Sequence, residues 1–365
     1  MKTQAAVLHK PHTTLTIEEV ELPPLKGEDV LIEIAACGVC HSDLHVVNGQ
    51  PGRPFPIVLG HEAAGVVLET GAAVTGLSPG DHAALSFHPY CGQCHDCTTG
   101  RTYRCTKRKG PPGHAWDGGV RMTLRGQPLY QMTPVPGFAR HAIVHHSSAI
   151  KIAKEAPLEK ACLLGCAVAT GVGAALNTAQ VKPGSSVVVI GCGGIGLNAI
   201  QGARIAGAAT IIAVDMLPHK LERALAFGAT ATVNAGSEQV VKRVRELTGR
   251  GADYAFEAIG KPETIQQSYD CLGAGGTAVV AGIVPDAAAR VQIAPGSLLG
   301  ERALTGTTTG STRPLRDFPR YLHLYQDGRL KLDELVTATA PLEAVNEAFR
   351  SLERGEGVRT VLVMR

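Results

Sequence analysis

The sequence predicts an α/β protein in which a doubly wound parallel sheet follows a mainly β domain. Three observations support this fold class. Strand and helix patterns alternate from residue 187 onward, the first 160 residues are richer in glycine, proline and short strand-like runs, and 365 residues suit two domains. The composition, 44% hydrophobic and 18% charged, is that of an ordinary globular chain rather than a disordered one.

The elements of the second half follow from turn signals and apolar periodicity. A turn at Lys182-Pro183-Gly184 leads into an apolar run typical of a buried strand. Pro218 and Gly228 bracket a helix, because proline favours its first turn and glycine the position after its end. The predicted strands are residues 187–190, 210–214, 253–258 and 277–283, and the predicted helices are residues 195–206, 218–228, 237–248 and 262–271.

Charge and composition exclude several classes of partner. The chain carries 35 Lys and Arg against 32 Asp and Glu, without a basic block, and only 4% of its residues are aromatic. We therefore expect no nucleic-acid partner. The first ten residues hold too short an apolar run for a signal peptide, and no window resembles a membrane span. The expectation is a cytoplasmic protein with no membrane partner.

Four of the ten cysteines form the segment CGQCHDCTTGRTYRC, at Cys91, Cys94, Cys97 and Cys105. In a reducing compartment, clustered cysteines indicate metal or catalysis rather than disulfides. Four thiolates close a tetrahedral zinc shell, which stabilises a loop and leaves no open position for chemistry. The alternatives are an iron–sulfur cluster, whose bacterial pattern needs a shorter last gap followed by proline, and four unrelated thiols. The intervening glycines and threonines predict a loop without helix or strand.

A second group is spread along the chain. Cys37 and Cys40 lie in CGVCHSD after the strand-like run at residues 30–34, His61 lies in GHE, and Cys166 lies in LLGCAVATG. Taken alone, Cys37 and Cys40 also fit a redox pair, and His61 fits a surface histidine. Cys166 alone fits a small buried side chain. Together they favour a catalytic zinc, which takes three protein ligands, such as two cysteines and one histidine, and keeps one open position.

The predicted strand at 187–190 runs directly into the dinucleotide fingerprint G-x-G-x-x-G at Gly191, Gly193 and Gly196. These glycines permit the tight turn, the approach of backbone to the pyrophosphate and close helix–strand packing, while the helix N-terminus faces the phosphates. Asp215 ends the next strand at the spacing of an acid that accepts hydrogen bonds from the ribose and repels a 2′-phosphate. We therefore predict NAD rather than NADP. The alternative for Asp215 is a solvated acid at a strand end.

Over nearly its whole length the chain resembles the zinc-dependent medium-chain alcohol dehydrogenases. CGVCHSD, GHEAAGVV, CGQCHDCTTGRTYRC, LLGCAVATGVGAA, GCGGIGL, AVD and the terminal VRTVLV occur in the family's order. The resemblance implies a GroES-like catalytic zinc domain at residues 1–167 and 309–365 and a Rossmann NAD-binding domain at residues 168–308.

The resemblance also implies a role for each matching residue. It makes Cys40, His61 and Cys166 the catalytic zinc ligands and the other four cysteines the structural zinc shell, which gives two zinc ions per chain. Ser42 and His45 form a proton relay, Asp43 and Glu62 support the ligands, and Phe87 lines the substrate cleft. The implied cofactor contacts are His41, Gly191, Gly193, Gly194, Ile195, Gly196, Asp215, Lys220, Ile283 and Arg359.

The implied reaction is the oxidation of a primary alcohol to an aldehyde, and the reverse. Zinc lowers the pKa of a bound hydroxyl, whose proton leaves through Ser42 and His45, and hydride passes to NAD. Phe87 and Ile283 favour an apolar or aromatic alcohol. Asp43 is expected to orient the ring of His61 or its neighbours, because metal-bound imidazoles donate their second N–H to an acceptor.

One position departs from the family pattern. His41 stands where many members have an arginine against the pyrophosphate. Because histidine loses its charge near neutral pH, we expect NAD affinity to fall as the pH rises through the titration of His41. The alternative is that His41 faces solvent without contacting the phosphates.

Two other functions stay open, and a third is contradicted by the presence of Cys40, His61 and Cys166. Residues 44–60 contain no Asp or Glu, unlike the glutathione-linked formaldehyde branch, although Lys109 matches that branch's basic group. A zinc-loop binding or redox-sensing protein without turnover would need only the four-cysteine segment. A zinc-free quinone reductase would lack the set of Cys40, His61 and Cys166.

The long stretch between Cys105 and Cys166 resembles the dimeric liver-type branch, which favours a homodimer over a tetramer. Trp116, which lies in this stretch, either lines the substrate channel or packs against a loop.

Overall fold

The computed structural model describes residues 1–107, 109–286 and 288–364, and it confirms the predicted α/β fold. The chain divides into two compact units. The first unit is Met1–Cys166, Arg313–Asp327 and the stretch from Leu332 to the end of the described chain. The second unit is Ala167–Thr312 with Gly328–Lys331.

The strands, in chain order, are β1 (Lys2–Leu8), β2 (Thr16–Glu21), β3 (Asp29–Gly38), β4 (Ile57–Val58), β5 (Glu62–Thr70), β6 (His82–Leu85), β7 (Thr123–Leu124), β8 (Gln127–Pro128), β9 (Tyr130–Gln131), β10 (His141–His145), β11 (Ala149–Ile152), β12 (Ser186–Ile190), β13 (Thr210–Asp215), β14 (Ala231–Asn234), β15 (Ala252–Glu257), β16 (Leu272–Val280), β17 (Ala303–Gly306), β18 (Val336–Pro341) and β19 (Arg359–Val363). The helices are α1 (His41–Val47), α2 (His95–Thr98), α3 (Leu158–Ala161), α4 (Ala167–Gly173), α5 (Gly194–Ile205), α6 (Pro218–Phe227), α7 (Val240–Thr248), α8 (Pro262–Asp270), α9 (Pro295–Leu298), α10 (Pro314–Gln326) and α11 (Val345–Glu353). Short 3₁₀ turns at Cys162–Gly165 and His146–Ser148 matter for the sites below.

Two mainly antiparallel sheets build the first unit. One has the order β8-β7-β2-β1-β4-β9, and the other has the order β11-β6-β5-β3-β19-β18 with β10 also paired to β3. Strand β3 is central, and its Val30, Ile32 and Ile34 are almost fully buried at alternate positions, as a strand with one core face requires. Phe138 and Leu59 pack into the same core.

The second unit is a parallel sheet with the strand order β14-β13-β12-β15-β16-β17, and every neighbouring pair in it is parallel. This is the 3-2-1-4-5-6 order of the doubly wound dinucleotide fold. Residues 187–190 of β12 are buried without a polar interruption, because helices cover both faces of such a sheet. Helix α6 begins at Pro218 and ends at Phe227, and Gly228 follows it in the left-handed conformation, so the two predicted bracketing residues lie where the sequence indicated.

Two elements of the second unit differ from the predictions by more than one residue, and the cysteine loop differs in content. Helix α7 begins at Val240 rather than at residue 237, because Ser237 is in a turn in which its N–H donates to the carbonyl of Asn234. Strand β16 begins at Leu272 rather than at residue 277, since Leu272 already pairs with Ala252 across an irregularity. It ends at Val280 rather than at residue 283. The cysteine loop contains the short helix α2 and a 3₁₀ turn at Thr102–Arg104, and the prediction of a plain loop missed both.

Within the described ranges, no single helix is long and apolar enough to cross a membrane. One bent pair of helical segments, Leu158–Gly165 with Ala167–Thr178, passes that test on length and composition alone.

Candidate metal centres and nucleotide loop

The register between β3 and β5 brings the first set of ligands together. Gly38 of β3 pairs with Glu62 at the start of β5, so Cys40 and His61, which lie just outside this pair, become neighbours. The segment ending in Cys166 reaches them because Gly165 has no side chain. A Cβ at Gly165 would lie 2.7 Å from the carbonyl oxygen of Leu85 and 3.1 Å from that of His61.

The resulting cluster contains Cys40, His61, Glu62 and Cys166, all of them buried. One ligand atom from each residue lies within 4.8 Å of the others. Two sulfurs and one ring nitrogen are a donor set that binds zinc at catalytic sites. The structure therefore brings together the three ligands named from the sequence and adds the carboxylate of Glu62 to them.

Asp43 fixes the orientation of His61. Its Oδ1 lies 3.1 Å from Nδ1 of His61 and accepts the N–H of Gly60 at 2.8 Å, while its Oδ2 accepts the N–H of Cys40 at 3.3 Å. With Nδ1 held by this buried carboxylate, Nε2 of His61 turns to the cluster, where the described residues offer it no hydrogen-bond partner. A buried, unpartnered ring nitrogen beside two sulfurs fits a metal ion.

Charge around the cluster is balanced by Arg359. This fully enclosed guanidinium donates to the carbonyl of Val39 at 3.0 Å and lies 3.3 Å from Oε1 of Glu62. Burial raises the pKa of Glu62 to about 7, which Arg359 opposes. A hydrogen bond from the Cys166 thiol, helped by Arg359 and His61, lowers the pKa of Cys40 well below its usual range, which favours the metal-binding thiolate.

The other candidates of this site lie on α1 and two residues after the end of β6. Ser42 Oγ is 3.9 Å from Cys40 Sγ. His45 is three residues further along α1, so the two side chains share one face of the helix. His41 begins the helix and is exposed. The ring of Phe87 meets the ring of His61 edge-on, with centroids 5.1 Å apart.

The four clustered cysteines form a second donor set in the first unit. Their sulfurs lie 4.0 Å apart for Cys91 and Cys97, 3.9 Å for Cys94 and Cys105, and 3.7 Å for Cys105 and Cys91. Tetrahedral zinc–sulfur bonds of about 2.3 Å place sulfurs about 3.8 Å apart. The backbone N–H groups of Gln93 and Cys94 donate to the sulfur of Cys91 and lower its pKa to about 6. The four residues fit a closed zinc shell.

The glycine-rich loop joins β12 to α5 in the second unit. Gly191 has a φ of +95°, and Gly193 is the N-cap of α5. A Cβ at Gly196 would lie 1.7 Å from the carbonyl oxygen of Gly191, so this position tolerates only glycine. Gly194 and Ile195 form the first turn of α5, whose N–H groups have no acceptor inside the helix.

Of the remaining cofactor candidates, three lie in the second unit, Asp215, Lys220 and Ile283, and two lie in the first, His41 and Arg359. Asp215 accepts the N–H of Cys192 at 2.9 Å and that of Leu217 at 3.1 Å, which fixes its carboxylate beside the glycines. Lys220 lies in the first turn of α6, and Ile283 is about half exposed after β16. In the first unit, Arg359 is held by Glu62 and by the carbonyl of Val39.

Comparison with known proteins matches most of the chain to two domain families. Residues 26–154 match the alcohol dehydrogenase GroES-like domain, and residues 194–327 match the zinc-binding dehydrogenase domain. An alcohol dehydrogenase zinc-binding domain protein from Burkholderia ambifaria is 36% identical over 100% of this chain and 99% of its own, with a TM-score of 0.96. Benzyl alcohol dehydrogenase from Acinetobacter calcoaceticus is 32% identical over 100% of both chains, with a TM-score of 0.94.

The chain belongs to the zinc-dependent medium-chain alcohol dehydrogenase family. It is an oxidoreductase of that type, and its cofactors are zinc and a nicotinamide nucleotide. A further relative, a zinc-binding dehydrogenase from Sinorhizobium meliloti 1021 solved with NADP, is 27% identical over 100% of both chains, with a TM-score of 0.81.

Two features of the structure were not found from the sequence. The pairing of Arg359 with Glu62 joins residues nearly 300 positions apart, and no local pattern signals it. A third group of potential ligands, Glu28 with His145 and His146, has only the His-His dipeptide as a signal. Cys37, Cys162, Cys192 and Cys271 are all buried.

Proposed function

We propose that this enzyme oxidises primary apolar or aromatic alcohols to aldehydes with NAD, and catalyses the reverse reaction. The observation that carries the proposal is the cluster of Cys40, His61 and Cys166, in which Nε2 of His61 is aimed at the two sulfurs. The four-cysteine loop would hold a second, structural zinc, which gives two ions per chain.

The protein's own residues supply positioning and proton transfer. Cys40, His61 and Cys166 would hold a zinc ion, whose Lewis acidity would make an alcohol hydroxyl acidic near neutral pH. Ser42, whose Oγ is 3.9 Å from Cys40 Sγ, accepts the hydroxyl proton. His45, on the same face of α1, passes the proton onward. Asp43 keeps the ring of His61 in one orientation throughout.

Phe87 supports the choice of substrate class. Its ring packs edge-on against His61, so an apolar surface borders the ligand cluster. Such a wall favours a hydrocarbon or aryl group over a peptide-like thiol adduct, whose polar groups would lose hydrogen bonds to water. The 32% identity to a benzyl alcohol dehydrogenase is consistent with an aromatic substrate.

Asp215 supports NAD rather than NADP. Its carboxylate is fixed at the end of β13 beside the glycine loop, where an acid binds the ribose hydroxyls and repels a 2′-phosphate. Because a relative has been solved with NADP, the two nucleotides are compared as cofactors of this enzyme. Replacing Asp215 by serine should lower kcat/KM for NAD and raise it for NADP, whereas a wild-type enzyme that prefers NADP would overturn this part of the proposal.

A substrate panel tests the function as a whole. The zinc-loaded enzyme is assayed with ethanol, straight-chain alcohols, benzyl alcohol and formaldehyde with glutathione, following the absorbance of the reduced nicotinamide. We expect the highest kcat/KM with benzylic or medium-chain alcohols. Faster turnover of the glutathione adduct would favour the thiol-adduct branch, and no turnover of any alcohol would overturn the proposal.

Variants of Ser42 separate chemistry from binding. Ser42→Ala should lower kcat by about a hundredfold or more, because it removes a proton-transfer group. Ser42→Thr is the matched control and should keep most activity, since it retains a hydroxyl at the same position. Equal activity of both variants would exclude Ser42 from the relay.

We also propose a homodimer, by analogy with the long-loop branch of the family. Light scattering of the zinc-loaded protein measures its mass directly, and a monomer or a tetramer in solution would overturn this assignment.

A further inference from the structure

A third set of metal-ligating side chains lies at one corner of the first unit. His145 ends β10 and pairs with Asp29 at the start of β3, which places Glu28 directly beside it. The N–H of His146 donates to the carbonyl oxygen of Glu28 at 3.0 Å. The backbone therefore fixes all three residues, Glu28, His145 and His146, at the same sheet corner.

The ligand atoms of these residues converge. One atom from each lies within 4.8 Å of the others, and Nε2 of His145 is 3.7 Å from Oε2 of Glu28. The side chain of His145 is only 5% exposed, and Nε2 has no hydrogen-bond partner in the described part of the chain. Glu28 is 60% exposed, which leaves the corner open to ions from solvent.

The surroundings keep His145 neutral and oriented. Burial and the neighbouring His146 lower the pKa of His145 to about 4, so its ring is uncharged at neutral pH and can act as a ligand. Ser147 Oγ lies 2.7 Å from Nδ1, and the ring of Trp116 covers the imidazole with centroids 4.9 Å apart.

The nearest other carboxylate does not compete for an ion. Asp29 is buried, accepts two hydrogen bonds from Arg121, at 2.9 and 3.1 Å, and takes the N–H of Lys26 at 2.9 Å. Its charge is thereby compensated within the protein. Glu28, in contrast, faces the two imidazoles.

We propose that Glu28, His145 and His146 bind a divalent transition-metal ion, separate from the two cysteine-containing sites. Two imidazoles and one carboxylate suit zinc, nickel or copper. In this structure Nδ1 of His145 accepts the backbone N–H of Ser147 at 3.2 Å, so coordination by Nε2 requires the ring proton to move to Nδ1. There Ser147 Oγ, at 2.7 Å, accepts it in place of that bond, in the manner of hydrogen-bonded metal histidines. Because the ion binds the folded corner and not the unfolded chain, it stabilises the protein.

Tryptophan fluorescence tests this site directly. Trp116 is the only tryptophan of the chain and lies against His145, so a bound paramagnetic ion should quench it. Ni²⁺ is titrated into protein whose cysteine sites are already loaded with zinc. We expect saturable quenching by one Ni²⁺ per chain and a rise in Tm at saturation.

Glu28 is exposed and His146 is half-buried, so variants at these two positions are expected to fold, whereas Ser147 is buried and its Oγ also accepts the N–H of Tyr90 at 3.0 Å. Glu28→Gln and His146→Asn each remove one ligand and should weaken Ni²⁺ binding by more than about tenfold. Ser147→Ala should weaken it by about ten- to hundredfold, because it removes the acceptor for the ring proton of His145. His323→Asn is the matched control, since it removes an exposed histidine that faces Asp327 elsewhere in the same unit, and it should bind Ni²⁺ like the wild type.

Two results would overturn the proposal. The first is an absence of saturable quenching in the wild-type protein. The second is equal quenching in wild type, Glu28→Gln and His146→Asn, which would mean that nickel binds surface groups adventitiously. Neither result depends on enzyme activity, so both are independent of the proposed alcohol oxidation.

Discussion

Replacing Gly196 by alanine tests whether the glycine loop is limited by backbone contact. A Cβ there would lie 1.7 Å from the carbonyl oxygen of Gly191 and 2.9 Å from its carbonyl carbon. Because a carbon and an oxygen in contact need about 3.3 Å, the start of α5 would have to move about 1.6 Å from the end of β12. Backbone atoms form the obstacle, so a change of side-chain rotamer cannot relieve it.

The size of the effect follows from two opposing terms. Overpacking costs about 1–3 kcal/mol, and an overlap with backbone belongs at the upper end of that range. The better helix propensity of alanine returns about 1 kcal/mol. The net loss of about 2 kcal/mol corresponds to a fall in Tm of about 4–8 °C for a unit of this size. Displacing the helix start also weakens nucleotide binding.

Gly193→Ala is the matched control. Gly193 has an ordinary φ of −82°, and a Cβ there would meet nothing within 4 Å. The variant should therefore keep the wild-type Tm and lose only nucleotide affinity, since its methyl group faces the predicted pyrophosphate position. Circular dichroism measures Tm, and fluorescence titration with the reduced nucleotide measures affinity. An unchanged Tm in Gly196→Ala, or equal destabilisation in both variants, would refute the reasoning.

Three further predictions concern the first unit. Cys97→Ser should lower the zinc content by about one ion per chain and lower Tm, because it opens the four-sulfur shell; unchanged metal content by mass spectrometry would contradict this. Arg359→Met should cost about 3–5 kcal/mol in urea denaturation, since it leaves the buried carboxylate of Glu62 unpaired, and a loss below about 1 kcal/mol would count against that pairing. Asp117→Asn should lower the free energy of unfolding by about 1 kcal/mol at neutral pH. Hydrogen bonds to Asp117, the strongest from Arg121, outweigh the effect of burial and hold the pKa of its carboxyl well below the usual range. A lowered carboxylate pKa stabilises the fold above the unfolded-state pKa and is lost on acidification, so this difference should shrink below about pH 4, and a constant difference would refute the assignment.

Periodicity was enough to predict most of the second unit. The apolar run of β12 and the residues Pro218 and Gly228, which flank α6, are local features of the sequence, and both elements were predicted from them. The start of β16 was missed because Leu272–Gly276 is rich in glycine, which by itself indicates a turn. There, pairing with β15 overrides the local preference, and no local pattern contains that information.

Long-range register explains what could not be predicted in the first unit. The spacing of the cysteines and His61 indicated metal chemistry, because few other functions need those residue types in such groups. The contact between Arg359 and Glu62 depends instead on β19 lying beside β3 while β5 lies on its other side. The Glu28–His145–His146 corner similarly depends on the antiparallel pairing of β3 with β10. Neither pairing leaves a periodic mark in the sequence.

The two C-x2-C segments show why equal spacing leads to different chemistry. Cys91 and Cys94 lie in a loop, where the sulfur of Cys91 accepts the N–H of Cys94 at 3.3 Å and both thiols are accessible to one ion. Cys37 lies inside β3 and is paired on both sides, with Ala63 and with Leu362, and burial raises its pKa well above the usual range. Cys40, three residues later, has left the strand and caps α1, where the pKa of its thiol is lowered instead. The strand boundary, rather than the motif, therefore decides which cysteine becomes a ligand, and it does so because a thiolate needs hydrogen-bond donors and nearby positive charge that the interior of β3 does not provide.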